Sequence, residues 1–413
     1  MCASSSSTIW QATRVGLDQG CHNWSGSLRF RPSRIEAPTT EQELAGLVRT
    51  IAAQGRTLRP IGSAHSASPI IVTDDVLVSL DHLKGLYEHN ERSQQATFGA
   101  GTKLTEVGES LHSVGLAMPT FGDVATQTVA RAIGSGTHGS GRHLYNLSMV
   151  LVGGRLVTAD GEVKEVSFEQ DPDFIWALRV SFGTLGVFSS MRLQLEPIYD
   201  LHRQEWCCQI DDCLSRLDEI SRENRNFDLY WYPRCDEANL RCLNPPGNEP
   251  DYNAFARLID DRTGPSHKVI PKHSNMPHRF EEMEYALPAE AGLDCFQELR
   301  RRIKSKWRRS VAWRLLFRYI KADDTWLSEA HGRESVSISL HQNSSLPFWD
   351  YFTDLEPVFR DYGGRPHWGK KHSLRADDLR PLYPKWDDFM MLRRRMDPQR
   401  VFLTPYLKML LDA

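Results

Sequence analysis

Two short loops carry side chains suited to chemistry. The first, GSAHSAS, runs from Gly62 to Ser68 with His65 at its centre, and the second, GSGTHGSG, runs from Gly134 to Gly141 around His138. Their small residues leave backbone N–H groups unobstructed, which suits a phosphate. Four glycines in eight residues of the second loop mark backbone that turns with positive φ or lets a ligand approach closely. A histidine in such a loop serves as a hydrogen-bonding residue, a ligand or a nucleophile. Neither loop is a P-loop or a GxGxxG fingerprint, because GK[ST] and the downstream acid are both missing. A pyrophosphate held between two such loops would be bound differently from the Rossmann mode.

Basic residues recur further along. WRLLFRYI reads as a strand that puts Arg314, Leu316, Arg318 and Ile320 on one face, and SVSISLH puts Ser337, Ser339 and His341 on one face. Lys370 ends the block HWGK. Read on its own, it is ordinary surface charge. The eight cysteines (Cys2, Cys21, Cys207, Cys208, Cys213, Cys235, Cys242, Cys295) form no CxxC pair and show no metal-ligand spacing. They read as reduced thiols.

The elements that position these residues alternate in the first half. Thr40 caps a predicted helix to Gln54, with Glu43 three positions on. TLRPIG is a short strand leading into the first loop, VLVSL and Ala96–Gly99 are strand-like, and Leu104–Val114 is an amphipathic helix. MVLVGGRLVTADGEVKEV is a β-hairpin turning at Asp160-Gly161. A helix over Phe174–Val180 and the strand SSMRLQLEPI follow. Near residue 198 the pattern changes to aromatic-rich strands (FDLYWYPR), a polar loop (LNPPGNEPDYN) and the basic helix CFQELRRRIKSKWRR, read as a solvated face.

At 413 residues the chain is too long for one ordinary core, so two domains, or one domain with a large insertion, are expected. Lys+Arg 50 against Asp+Glu 53 leaves a formal charge of -3, with no field to draw nucleic acid or anionic membrane. The amino terminus has no secretory-signal pattern, and no apolar run reaches the ~18 to 20 residues of a membrane helix. A soluble, cytoplasmic protein acting on a small molecule is the expectation; the oligomeric state is left open and is compatible with a monomer.

The sequence resembles the vanillyl-alcohol-oxidase-type (PCMH-type) FAD family, in its aldonolactone oxidoreductase and alditol oxidase branch. The likeness runs through NWSG (Asn23–Gly26), PIGSAHS (Pro60–Ser66), GAGT (Gly99–Thr102), IGSGTHGSG (Ile133–Gly141) and SFGTLGV (Ser181–Val187). It continues through MEYALP (Met283–Pro288), ADDTWLS (Ala322–Ser328), GGRPHWGK (Gly363–Lys370) and MDPQRVFLTPYL. The resemblance implies FAD joined covalently through its 8α-methyl to His65. It assigns cofactor contacts to Ile61, Gly62, Ser63, Ala64 and Ser66 of the first loop, and to Ser135, Gly136, Thr137 and His138 of the second. Gly122, Asp123, Thr128, Arg131 and Val187 complete them. Arg131 stands where relatives often have glycine, and either reaches a phosphate or displaces the usual backbone approach. The family's Glu-x-Arg pair is matched by Arg318, with Leu316 in the place of the Glu. Arg318, Lys370 and His367 are the implied catalytic residues, and Asp123, Arg318, Ser339, His341 and Lys370 the implied substrate contacts. Gly122 leaves room for dioxygen.

The expected fold is α+β: a two-subdomain PCMH-type FAD-binding domain over residues 1–197, an antiparallel-sheet substrate (cap) domain over 198–370, and a C-terminal segment, 371–413, packing on the FAD domain. The expected activity is oxidation of a sugar 1,4-lactone of gulono, galactono or arabinono type, with dioxygen reduced to hydrogen peroxide. An alditol is the alternative substrate; a lactone dehydrogenase using another acceptor, or a flavin-binding scaffold without turnover, is the lesser one.

Overall fold

The computed structural model describes residues 20–271 and 278–412, so the reading of the amino terminus, Cys2 included, lies outside the described residues. The first layer is a small parallel sheet of β1 (Arg34–Glu36), β2 (Leu58–Ile61) and β3 (Val76–Ser79), with β3 in the centre. Helix α1 (Glu41–Ala53) crosses between β1 and β2; the Thr40 hydroxyl accepts from the Glu43 N–H at 3.1 Å. It buries Leu44, Val48 and Ile51, the apolar stripe that its spacing predicted. The His65 loop leaves directly from the end of β2.

The second layer is an antiparallel sheet in the order β7-β6-β8-β5-β4, built from β4 (Leu86–Asn90), β5 (Gln95–Gly99), β6 (Leu151–Val157), β7 (Val163–Ser167) and β8 (Val187–Gln194). The β6–β7 hairpin turns at Asp160-Gly161, with Gly161 at φ +77°. Helix α2 (Leu104–Ser113) and the short α3 (Val129–Gly134) lie between β5 and β6, and the His138 loop begins where α3 ends. Helix α4 (Pro172–Arg179) precedes β8.

Residues 200–366 form one antiparallel sheet of eight strands. These are β9 (Asp200–Gln209), β10 (Asn226–Tyr232), β11 (Glu237–Asn244), β12 (Arg257–Pro265), β13 (Phe280–Pro288), β14 (Leu315–Ile320), β15 (Ser335–Asn343) and β16 (Arg365–Pro366), ordered β12-β9-β11-β10-β14-β15-β13-β16. One face packs on α5 (Gly292–Arg302) and α6 (Trp349–Asp361). Phe296 of α5 meets Trp231 and Phe317, with ring centroids 5.8 and 5.9 Å apart, and Phe359 of α6 stacks on Tyr285 at 5.0 Å. Because strand side chains alternate, apolar Phe317 and Tyr285 on that face force Arg318 and Glu284 onto the other. The basic run of α5 is a salt-bridged surface: Arg300 pairs with Asp211 and Asp236, and Arg302 with Asp354.

The chain then returns to the first layer through α7 (Trp386–Met396) and α8 (Pro405–Leu411), and the Leu58 N–H of β2 donates to Val401 O at 2.8 Å. The architecture is thus α+β, with two small subdomains facing a large antiparallel sheet. Among the described residues no helix is long and apolar enough to cross a membrane.

Candidate active site

The polar face of the eight-stranded sheet is organised in cross-strand rows. Pairing register sets Leu316, Ser339 and Glu284 in one row and Arg318, Ser337 and Ala286 in the next. Glu282 lies opposite His341, whose Nδ1 is 3.2 Å from the Arg314 carbonyl. These rows face the two glycine loops, and a cavity lies between them. His65, Arg131 and His138 line one side; Glu282, Arg318, His341, His367 and Lys370 line the other.

Glu284 gathers the site. Its carboxylate receives His138 Nε2 at 2.7 Å, Arg318 Nη2 at 3.1 Å and Lys370 Nζ at 2.7 Å, together with the Ser339 hydroxyl. Lys370 also donates to Glu282 at 2.6 Å, and His341 Nε2 lies 3.1 Å from the same carboxylate oxygen. Although burial opposes ionisation, Lys370 and the surrounding donors hold both carboxyl groups below the usual carboxylate range. The acid that neutralises Arg318 therefore comes from β13, two strands away from Leu316, rather than from Arg318's own strand.

His367 has an assignable tautomer. Its Nδ1 accepts the Gly369 backbone N–H at 2.9 Å, so the ring is neutral with its proton on Nε2. Burial, with Lys370 nearby, pulls its pKa well below the ordinary range. As held, His367 is a hydrogen-bond donor. Glu329 sits 3.8 Å from the same Nδ1, and burial pushes its carboxyl well above the usual range.

His65 is clasped from the amino-terminal side. Trp24 packs on its ring at 4.6 Å, and Asn23 Nδ2 donates to Ser66 O at 3.0 Å. Burial pulls the imidazole down to about 4, leaving it neutral. Ala64, just before it, adopts φ +47°, a left-handed conformation unusual for a residue with a side chain.

A second cavity adjoins the first at Arg131. It takes Ile61, Gly62, Thr128 and Val187 from the expected contacts, whereas Ser66, Gly122, Asp123, Ser135, Thr137 and His138 line the first. Arg131 lines both. Ser63 donates to Thr126 O, and Gly136 turns at φ +71° against Glu329. Ser339 is a correction: wholly buried, with its hydroxyl spent on Glu284, it supports the carboxylate from behind instead of touching a substrate. Asp123 faces the cavity but is engaged by Arg241 at 2.6 Å and the Tyr230 hydroxyl at 3.0 Å. His138, Glu284 and His367 each offer a ligand atom within 4.8 Å of the others, a spacing open to a metal. Arg318 and Lys370 already neutralise that carboxylate, however, so a divalent cation would face two fixed positive charges.

The sequence reading missed Glu282, Glu284 and Arg59. Glu282 and Glu284 were visible only as an i, i+2 pair of acids in EEMEYALP. Arg59 is buried beside the second cavity with Nε and Nη1 lacking any hydrogen-bond partner. Burial, followed by the nearby Arg131 charge, pulls its pKa to about 9. Arg131 donates to Ser66 Oγ at 3.0 Å through Nε, and among the described residues neither arginine has an acidic partner.

These features fit FAD. Two uncompensated buried guanidinium groups meet where a pyrophosphate would run between the cavities. A Cβ on Gly62 would come 2.4 Å from Thr128 Oγ1, so the backbone there is closely cradled. Leu178, Phe182, Phe188 and Met191 give the second cavity an apolar wall suited to an adenine. Two glycine loops facing an antiparallel sheet across linked cavities define a PCMH-type FAD-dependent oxidoreductase.

Comparison with known proteins specifies the branch. Residues 32–167 match the FAD binding domain family and residues 252–410 the D-arabinono-1,4-lactone oxidase family. The chain is similar to L-gulono-1,4-lactone dehydrogenase of Mycobacterium tuberculosis, with 34% identity covering 94% of this chain and 98% of the relative. It is also similar to alditol oxidase of a Streptomyces species, with 26% identity covering 95% and 99%. Cholesterol oxidase from B. sterolicum shares the fold at TM-score 0.83 and 15% identity, covering 95% and 96%. The chain belongs to the aldonolactone oxidoreductase family of FAD flavoproteins.

Proposed function

We propose that the chain is an oxidase of a sugar 1,4-lactone that carries FAD covalently on His65. The observation that carries this reading is one cavity bounded by a neutral, clasped His65 on one wall and by Lys370, Arg318 and His367 on the other. A neutral imidazole has the lone pair that bonding to the flavin 8α carbon requires. When bound, the flavin would accept the hydride of a carbinol carbon and pass both electrons to dioxygen, giving hydrogen peroxide.

The chain's own residues do the rest. Arg318 and Lys370, fixed by Glu284, stabilise the oxygen as its proton leaves, and His367 Nε2–H donates to the same oxygen. The hydroxyl proton passes to the ionised Glu282 carboxylate, which lines the cavity, because both His341 ring nitrogens face oxygen acceptors and have no lone pair to offer. Arg59 and Arg131 would hold the pyrophosphate. Gly122 lines the cavity 3.0 Å, at its missing Cβ, from Thr137 Cγ2, and its lack of a side chain gives dioxygen access.

An alditol is the second substrate reading, favoured by the likeness to alditol oxidase along nearly all of that protein. The dehydrogenase likeness favours an acceptor other than dioxygen. Anaerobic addition of a 1,4-lactone is expected to bleach the flavin, and readmission of air to restore it with one peroxide per turnover. Bleaching by alditols alone would move the substrate class, and colour that returns only with an added acceptor would make the enzyme a dehydrogenase. His65→Ala is expected to yield flavin released by acid precipitation; flavin released equally by the unaltered protein would exclude the covalent bond.

A further inference from the structure

On the substrate side of the cavity every charged side chain but one has an ionic partner among the described residues. Arg318 meets Glu284 at 3.1 Å, Lys370 meets Glu282 and Glu284 at 2.6 and 2.7 Å, and Asp123 meets Arg241 at 2.6 Å. Arg131 also lacks an acid, but it sits at the junction with the nucleotide cavity, where a pyrophosphate would answer it. Arg314 has no such answer. Its side chain lines the cavity, and among the described residues it makes no hydrogen bond or ion pair. Its Nε is buried without a partner.

The guanidinium is nevertheless well placed. It lies over the Tyr230 ring at 4.7 Å and the Trp313 ring at 5.3 Å, contacts that fix its plane while leaving its N–H edges unused. Arg314 and Arg318 lie four residues apart in extended chain, about 13 Å between Cα atoms. They therefore address the two ends of a short polyol whose reacting carbinol lies near Arg318. Leu316, which lines the cavity between them, adds no charge that would repel an anion.

We propose that the physiological substrate is a polyhydroxy compound, ring-closed or open, that carries a terminal carboxylate or phosphate bound by Arg314. This rests on the assignment of the cavity as a site of carbinol oxidation. An unpaired guanidinium edge is the complement of a planar carboxylate or of a phosphate, and a neutral lactone or alditol would leave it unmet.

The test uses the purified flavin-loaded enzyme with two neutral probes, gulono-1,4-lactone and glucitol, and two anionic ones, gluconate and glucitol 6-phosphate. The anionic probes are expected to give the higher kcat/KM, with KM rising as salt is added. In Arg314→Met the ratio of anionic to neutral kcat/KM should fall roughly 10- to 100-fold, chiefly through KM; Arg314→Lys should recover part of it. Inorganic phosphate should compete with substrate in the unaltered enzyme and lose that competition in Arg314→Met. The better of gluconate and glucitol 6-phosphate identifies the anion. Neutral probes preferred, or a ratio unmoved by Arg314→Met, would overturn the anionic substrate and leave carbinol oxidation standing. No bleaching with any of the four would overturn both.

Discussion

Glu284 binds three basic side chains at once and does not line the cavity itself, so its effect on chemistry passes through the groups it holds. Glu284→Gln would leave His138, Arg318 and Lys370 buried around a neutral amide. A loss of about 3 kcal/mol in unfolding free energy is expected, because removing one member of a buried ionic set strands the others. In the protein that remains folded, kcat should fall more than KM rises, since the affected contacts are those to the developing alkoxide. Urea titration and steady-state kinetics check the two halves separately. Nothing in the one-dimensional chain singled this residue out. Alternating acids in a strand read as a face turned to solvent, whereas here that face lines a cavity. The acid expected two positions before Arg318 is supplied instead along the row through Ser339.

The elements were far more legible than the charges they carry. The capped helix at Glu41–Ala53, the hairpin at Asp160-Gly161 and the strands on either side of the first loop follow from local spacing and turn chemistry. The cross-strand register was not readable, because pairing partners such as Glu284 and Ser339 lie 55 residues apart and no local signal aligns them. The loops themselves show which glycines the structure requires. Gly136 turns at φ +71°, and an added Cβ would come 2.8 Å from Glu329 Oε2. Gly136→Ala is therefore expected to cost about 1 to 3 kcal/mol of stability through backbone strain. It should also weaken flavin retention, read as free flavin in a spin filtrate. Gly46, in open space on α1, should accept alanine without either effect.

At the scale of the molecule, stability is linked to the protonation of buried histidines. His372, like His65, is pulled to about 4 by burial, and neither of its ring nitrogens has a side-chain partner. The unfolded chain binds a proton near pH 6.5 that the folded chain refuses until about 4. Stability therefore rises with pH across that window and is lost as pH falls through it, by roughly 1.4 kcal/mol per unit for each such histidine. Flavin-free protein should show a urea midpoint that drops between pH 7 and 5, and His372→Gln should flatten part of the slope. A flat profile in the unaltered protein would contradict this account. The plan of two small subdomains facing a large sheet was implied by the family resemblance, but the junction at Arg131 was not. Only the folded chain brings residue 131 between a loop at 62–68 and Gly369.

The cross-strand rows also bear on how such an enzyme diversifies. Position 314 immediately precedes, and 316 lies near the start of, the strand Leu315–Ile320 that carries Arg318, which Glu284 holds. Exchanges at 314 and 316 alter what is recognised without disturbing the held Arg318. On the proposed role of Arg314, a lineage built on this sheet would move between neutral and charged sugars through exchanges at that one position.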